Sequence, residues 1–246
     1  MLNNEHITLF LVLLPIVAFL YSSVGHGGAS GYLALMALFS FAPDTMKPTA
    51  LLLNLFVAAI SFYYYYRGGF FNKRLFLSFA VASIPLAFLG GTVALDASIY
   101  KKTLAVLLVF AILKMLNVFG KEKSYIRKVK IWQGLIVGGA IGFFSGLIGI
   151  GGGIILTPII LILHWGKMKE AAAVSALFIW VNSAAGLIGQ VSSGVRLEKE
   201  SFILVAIALI GGTLGGYLGS KKINNKNLRY ILAFVLVLAS FKLFFT

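Results

Sequence analysis

Two short glycine clusters are the parts of this sequence whose residue types and spacing are best suited to chemistry. Residues 25–29 read Gly-His-Gly-Gly-Ala, and residues 149–153 read Gly-Ile-Gly-Gly-Gly. Glycine adopts turn conformations that other residues avoid, and it leaves the neighbouring backbone N–H groups accessible. A helix that begins directly after such a turn points free N–H groups and the positive end of its dipole at the turn. Two such turns that meet near the middle of the protein are predicted to form one neutral cradle that holds a small anion through the backbone.

His26 is the ionisable residue of the first cluster, and Ile150 occupies the matching place in the second. The turn itself therefore does not require histidine. An imidazole could donate a hydrogen bond to a bound anion or carry a coupled proton, because it titrates near neutral pH. The alternative is a neutral imidazole held by a nearby carbonyl, and the sequence leaves both interpretations open.

Polar residues recur at helical spacing after each cluster. Asn54 and Ser61 lie seven residues apart, as do Ser175 and Asn182, so each pair shares one face of a helix. Buried polar side chains must find hydrogen-bond partners, so these residues either line the path of a solute or join neighbouring helices. Serines also flank the clusters. The candidate binding residues are Gly25, His26, Gly27, Gly28, Gly149, Gly151, Gly152, Gly153, Asn54, Asn182, Ser22 and Ser145.

The sequence lacks the residue patterns of several other chemistries. There is no cysteine and the three histidines are widely separated, so neither thiol chemistry nor a metal cluster is predicted. The second cluster does not complete the dinucleotide-binding pattern G-x-G-x-x-G, because Ile154 occupies its last position, and no Walker GK[ST] motif exists. His26 with Ser22 or Ser23 has no evident third catalytic partner. We expect neither an enzyme nor a cofactor.

The composition indicates the environment of the clusters. Hydrophobic residues make up 60% of the 246 residues and charged residues 11%, whereas soluble domains carry about 25% charged residues. The mean hydropathy is +0.97, and a soluble fold of this length could not bury so much apolar surface. Apolar runs of roughly 17–25 residues predict membrane-spanning helices. We predict an all-α membrane protein with about ten hydrophobic segments, at 7–23, 28–42, 47–66, 74–95, 101–119, 131–148, 152–164, 170–190, 201–219 and 228–245.

The positive charge indicates orientation in a bilayer rather than a nucleic-acid partner. The formal net charge is +14, and its lysines and arginines lie in the short gaps between apolar segments, which is the positive-inside pattern. Alternate gaps carry most of them, so these gaps are predicted to be cytoplasmic and both termini external. Residues 1–6 contain no lysine or arginine, so the first segment is predicted to be a retained helix rather than a cleaved signal peptide.

The two halves of the chain resemble each other in the order of their motifs. Beyond the clusters, the matching motifs are Met46-Lys47 with Met168-Lys169, and Gly90-Gly91-Thr92 with Gly211-Gly212-Thr213. We predict a first transmembrane repeat at 1–119, a basic cytoplasmic linker at 120–130 and a second transmembrane repeat at 131–246. Each half contributes an odd number of segments, so the second repeat is predicted to be inverted relative to the first.

The segments on either side of each glycine cluster are short, which predicts broken-helix hairpins. Such hairpins are either re-entrant, which would leave eight full spans, or fully spanning. Glycines also line close contacts between membrane helices, and this packing role is the alternative interpretation of the two clusters. It is the predicted role of the glycines that recur every four residues, which are Gly138, Gly142, Gly146, Gly211, Gly215 and Gly219.

In these duplicated clusters and Met-Lys and Gly-Gly-Thr motifs, the chain resembles the TauE/SafE sulfite exporter family, also called the TSUP family. The resemblance extends over essentially the whole chain. It implies a bacterial or archaeal cytoplasmic membrane and transport, mainly export, of sulfite, sulfonates or related small organic acids. The first cluster departs from an all-glycine version at His26 and Ala29, which leaves the particular substrate open.

The prediction from residues and resemblance together is secondary transport of a small anion by alternating access. The two clusters would face each other across the site, with Asn54 and Asn182 lining the path. A passive anion channel is one alternative, and a non-transporting membrane subunit or sensor is another. The expected partners are the small anion and the lipid bilayer, with no nucleic acid, and the sequence gives no indication of oligomeric state.

Overall fold

The computed structural model describes residues 4–115, 126–221, 236–237 and 240–244. All regular secondary structure in these ranges is helical, which confirms the all-α prediction. The helices are α1 (Asn4–Ser22), α2 (Ala29–Leu38), α3 (Pro43–Arg67), α4 (Lys73–Thr92), α5 (Ala97–Met115), α6 (Ile131–Ile148), α7 (Gly153–Ile162), α8 (Met168–Ser192) and α9 (Lys199–Lys221). Most of the predicted linker at 120–130 and of the segment at 228–245 lies outside the described residues.

The two short helices, α2 and α7, have ten residues each. At 1.5 Å per residue each is about 15 Å long, half the roughly 30 Å hydrocarbon core. Both end earlier than the sequence predicted because Ser40 and His164 adopt left-handed φ angles of 62° and 59°. The next amides then reach back five residues, Phe41 N to Met36 O at 3.0 Å and Trp165 N to Ile160 O at 2.8 Å. These are Schellman-type helix ends.

The helices that precede the short ones, α1 and α6, are longer than half the thickness of the hydrocarbon core. The lengths of α1 and α6 are 19 and 18 residues, or about 28 Å and 27 Å. Only the second member of each predicted hairpin is therefore short. Each predicted hairpin therefore consists of a long helix, a glycine turn and a helix about half as long.

The centre of the protein consists of α3 and α8, which pack along each other. Each has 25 residues. Of their most apolar stretches, 61% and 72% is buried, against 39% for that of α9. All four polar residues that the sequence placed on these helices are fully buried, namely Asn54, Ser61, Ser175 and Asn182.

Glycines join the outer helices in pairs, α4 with α6 and α1 with α9. A Cβ added to Gly142 would lie 2.6 Å from Ser83 Cα, and one added to Gly215 would lie 2.8 Å from the carbonyl carbon of Phe19. Gly138, Gly146, Gly211 and Gly219 have equally close backbone neighbours. The packing role predicted for these glycines is confirmed, since any side chain there would separate the helices.

The outer surface of the helices is apolar. Side chains such as Val81, Ile136 and Ile210 are 63%, 64% and 65% exposed. Five of the described helices, α3, α4, α6, α8 and α9, are long and apolar enough to cross a bilayer. An apolar surface of this extent requires lipid rather than water as its solvent. The chain is therefore a multi-pass membrane protein.

Candidate functional site

The first glycine turn, residues 23–28, joins α1 to α2. Gly25 and Gly28 have φ angles of 79° and 102°, and Gly28 is the N-cap of α2. The turn closes on itself through His26 N, which donates to Tyr21 O at 3.0 Å. Because residues other than glycine rarely adopt such angles, two of the four cluster residues in this turn are required by its geometry.

The second glycine turn, residues 149–152, joins α6 to α7. Gly149, Gly151 and Gly152 have φ angles of 87°, 75° and 78°, and Gly152 is the N-cap of α7. Both short helices thus begin at a glycine with no side-chain cap. Their first N–H groups have no partner within the helix and face the turns.

The two glycine turns approach the same side chain, Asn54, which lies about halfway along α3. Ala29 N donates to Asn54 Oδ1 at 3.0 Å, and a Cβ added to Gly27 would lie 2.5 Å from the same oxygen. A Cβ on Gly151 would collide with Asn54 Nδ2. The Asn54 amide group therefore lies between the two turns, in contact with both.

Two residues of α8 complete this central contact. Asn54 Nδ2 donates to Ser183 Oγ at 3.2 Å. A Cβ added to Gly27 or to Gly151 would lie 2.9 Å or 3.0 Å from Ile179 Cγ2. The predicted approach of the two clusters is thus present in the structure, and both long central helices take part in it.

His26 joins the first turn to the second half of the chain. Its Nδ1 lies 3.0 Å from Val24 O, and since a carbonyl only accepts hydrogen bonds, Nδ1 carries the hydrogen. Its Nε2 lies 3.2 Å from Thr157 Oγ1 on α7. In the neutral ring Nε2 accepts from Thr157, and in the charged ring it donates to it. The contact with a nearby carbonyl, which the sequence offered as the structural alternative for His26, is present. A second contact, with Thr157, joins His26 to the other half of the chain.

Thr157 extends this network into α8. Its hydroxyl lies 2.8 Å from Ser175 Oγ and 3.1 Å from Gly153 O. Ser175 and Thr157 are both fully buried or nearly so, and His26 is 4% exposed. The network therefore offers hydrogen-bond partners to either charge state of the imidazole without contact with bulk water.

The other predicted site residues are buried but less connected. Asn182 Nδ2 donates to Phe178 O, one turn earlier in its own helix, at 2.7 Å. Asn182 Oδ1, Ser22 Oγ and Ser145 Oγ are buried without a hydrogen-bond partner in the described part of the chain. Ser145 lies beside the second turn, since its Cβ is 3.5 Å from a Cβ added to Gly152. These are polar atoms available to a ligand.

Ser183 and Ile179 are the residues of the central contact that sequence reasoning missed. Helical spacing pointed to Asn182, yet it is Ser183 that bonds to Asn54. Ser183 lies eight residues after Ser175, which places it about 80° from Ser175 around the helix, against about 20° for Asn182. Positions i, i+7 and i+8 still fall within one broad helix face, and this is the signal that could have identified Ser183.

The site consists mainly of uncharged hydrogen-bond donors. The acidic residues whose side chains the structure describes are exposed or partly exposed, namely Asp44, Asp96, Glu170, Glu198 and Glu200. No three histidine or acidic side chains in the described ranges come together as metal ligands. Backbone N–H groups, hydroxyls and one imidazole suit an anion better than a cation.

Similar proteins identify the class to which this fold and site belong. A probable membrane transporter protein of Sinorhizobium fredii is 36% identical over 233 residues, covering 93% of this chain and 94% of that protein. One of Methanocaldococcus jannaschii is 28% identical over 92% of this chain and 94% of its own length. A third, of Bacillus subtilis, is 31% identical over 46% of this chain and 41% of its length. The chain is a membrane transporter.

The family follows from a wider match. Residues 9–243 match the model of the family described as sulfite exporter TauE/SafE, and the chain belongs to this family. The resemblance that its glycine clusters and repeated motifs indicated is confirmed. No solved structure gave a significant match.

Proposed function

We propose that this protein is a secondary transporter that exports a small anion by alternating access, and that sulfite, an organosulfonate or a related organic acid is the cargo. The observation that carries the proposal is the meeting of the two glycine turns at Asn54. Two helix N-termini that converge on one buried amide bring together uncharged hydrogen-bond donors of the kind that bind anions.

The contacts suggest how an anion binds there. Asn54 Oδ1 already accepts a hydrogen bond from Ala29 N, so it occupies the place that an anion oxygen would take. When a substrate oxygen takes over this N–H, Asn54 keeps its second bond, to Ser183 Oγ. The unpartnered Ser145 Oγ, beside the second turn, is a further hydroxyl donor for the anion.

Alternating access follows from two inverted repeats, 1–119 and 131–246, joined by the basic linker at 120–130. The helix lengths support this arrangement, since α1, α2 and α3 match α6, α7 and α8 within one residue. The contacts support it as well: exchanging the halves converts the α1–α9 pair into α6–α4, and the α4–α8 pair into α9–α3, and all four pairs exist.

The orientation and energy source complete the proposal. Both termini are external, the basic linker is cytoplasmic, and the membrane is the cytoplasmic membrane of a bacterium or archaeon. Moving one charge through 100 mV is worth about 2.3 kcal/mol, which favours export of an anion from a negative interior. A proton carried by His26 is the second available source of energy.

Flux measurements test the proposal against a channel and against a non-transporting subunit. Purified protein in liposomes is offered sulfite, thiosulfate, sulfoacetate, taurine and small carboxylates in turn. We expect saturable uptake of at least one sulfur-containing or carboxylic anion, together with counter-flow. Flux that stays ohmic without counter-flow would instead indicate a channel, and no flux of any anion would indicate a subunit or sensor.

A further inference from the structure

A cavity of about 660 Å³ lies at one end of the protein, between the α3–α4 connection and the start of α8. Its lining includes Lys73, Lys167 and Lys169, with Glu170 as the acidic member. All three lysines are exposed. The site described above does not use any of these residues.

The single carboxylate of the cavity is already engaged. Glu170 Oε1 accepts a hydrogen bond from Asn72 Nδ2, and Oε2 accepts one from Lys167 N at 3.3 Å. Within the described ranges, none of the three ammonium groups forms an ion pair with a carboxylate. Three positive charges against one negative charge leave the cavity strongly cationic.

Two helix N-termini add to the positive electrostatic potential of the cavity. The N-termini of α4, at Lys73, and α8, at Met168, both border the cavity. Each contributes about half a positive charge from its dipole. A small oxyanion is therefore the ligand that the lining favours.

The cavity is separated from the first glycine turn by a thin layer of side chains. Phe70 and Phe71 line the cavity and pack against Tyr65, Ala172 and Ala173. A Cβ on Gly25 would lie 3.1 Å from Ala172 Cα on the far side of this layer. The Tyr65 hydroxyl also donates to Ser23 O, in the turn itself, at 3.3 Å.

The repeated Met-Lys motif supplies a lysine to this layer. Lys169 Nζ lies 4.5 Å from the centroid of the Phe70 ring, within the range of a cation–π contact. Its repeat partner Lys47 lies 5.1 Å from the Tyr100 ring, and the Tyr100 hydroxyl donates to Ile148 O, next to Gly149, at 3.2 Å. The paired lysines therefore stand over aromatic rings near opposite turns.

We propose that the cavity lined by Lys73, Lys167 and Lys169 is a capture site for small oxyanions, which concentrates the cargo beside the first glycine turn before the aromatic layer opens. The inference rests on the proposed function for its cargo. Free sulfite and the phosphate of a lipid headgroup share the chemistry that the lysines recognise, so the test must separate them.

The test compares two variants that lose the same charge. One carries Lys73→Gln, Lys167→Gln and Lys169→Gln. The control carries Lys102→Gln, Lys128→Gln and Lys199→Gln, at exposed lysines that do not line the cavity. Uptake of radiolabelled sulfite is measured in vesicles of each orientation, at low and at high salt, with and without phosphatidylglycerol.

We expect the cavity variant to raise the KM for sulfite about tenfold at low salt, with an unchanged maximal rate, only when sulfite faces the cavity. The effect should disappear near 1 M inert salt, where the Debye length is about 3 Å. A KM equal to that of the control, or raised equally from both faces, would overturn the capture site. So would a change that appears only with phosphatidylglycerol, since it would assign the cavity to lipid.

Titration of sulfite into the detergent-solubilised protein distinguishes failure of this inference from failure of the proposed function. Binding that is lost in the cavity variant while wild-type protein shows no flux would support the capture site and reject transport. Sulfite flux with a KM that the cavity lysines do not affect would support transport and reject the capture site.

Discussion

His26 Nε2 and Thr157 Oγ1 lie 3.2 Å apart, which links the first glycine turn directly to α7 in the other half of the chain. Thr157 in turn contacts Ser175 Oγ of α8 at 2.8 Å. A histidine that the turn does not require for its own conformation is thus held in place by the second half. This arrangement allows a proton on the imidazole to influence the first turn and the start of α7 at once.

Replacing His26 tests its role in pH dependence. A charged imidazole adds a positive charge beside the anion, so wild-type protein should show a lower KM at acid pH than at alkaline pH. With thiosulfate as the cargo, whose charge does not change between roughly pH 5 and 8, we expect His26→Ala to make the KM independent of pH in proteoliposome uptake assays. Thr157→Val serves as the control, because it removes the neighbour and retains the titratable group. A pH profile unchanged by His26→Ala would reject proton handling by this residue.

A matched pair of glycine variants tests the second turn. Gly151 and Gly194 have left-handed φ angles of 75° and 92°, but a Cβ on Gly151 would meet Asn54 and Ser183, whereas nothing lies within 4 Å of one on Gly194. Each change to alanine strains the backbone by roughly 1–2 kcal/mol. We expect only Gly151→Ala to abolish uptake in folded protein, as judged by size-exclusion chromatography. Equal loss of uptake in both variants would show that backbone strain alone is responsible.

A negative charge at Asn54 should act as an internal competitor of the anion. The carboxylate introduced by Asn54→Asp would still accept the hydrogen bond from Ala29 N, and a carboxylate is stabilised at the N-terminus of a helix by about 0.3–2 kcal/mol. We therefore expect a folded protein whose anion uptake falls at least about tenfold. The neutral variant Asn54→Ser should retain more activity than Asn54→Asp, and the reverse order of uptake rates would contradict this role.

The glycine contact between α4 and α6 should affect stability rather than transport. A Cβ on Gly142 would lie 2.6 Å from Ser83 Cα, whereas one on Gly139 would meet only the end of the Leu86 side chain, at 2.8 Å, and more distant atoms. We expect Gly142→Ala to cost about 1–3 kcal/mol and to lower the thermal unfolding midpoint in detergent. Gly139→Ala should change it little, and equal midpoints would argue against backbone contact at this interface.

Much of the fold could be predicted from the sequence, because apolar runs and glycine spacing are local signals. The cores of α3 and α8 lie within the predicted segments, and the every-fourth glycines of α6 and α9 pack as expected. The early ends of α2 and α7 could not be predicted, because Ser40 and His164 adopt the left-handed angles usually reserved for glycine.

The site was predictable in its turns but not in all of its side chains. Glycine types and their duplication pointed to both turns, and helical spacing pointed to Asn54. Whether Asn182 or Ser183 faces Asn54 depends on how α8 is rotated about its axis against α3, and adjacent residues differ by about 100° in that rotation. Sequence spacing alone does not determine such a rotation, because it shows which residues share a helix face but not which neighbouring helix that face meets.

The glycine contacts between α1 and α9 and between α4 and α6, here called the glycine seams, also bear on whether half of this protein could fold alone. At each seam a helix from the first half packs against exposed backbone at the glycines of a helix from the second half. The pairs are α1 on α9 and α4 on α6. Severing the chain between α5 and α6 would uncover the glycine strips of α6 and α9 on one fragment and the faces of α4 and α1 that pack on them on the other. A co-expressed pair of fragments has the complementary surfaces needed to reassemble, whereas either fragment by itself lacks its counterpart.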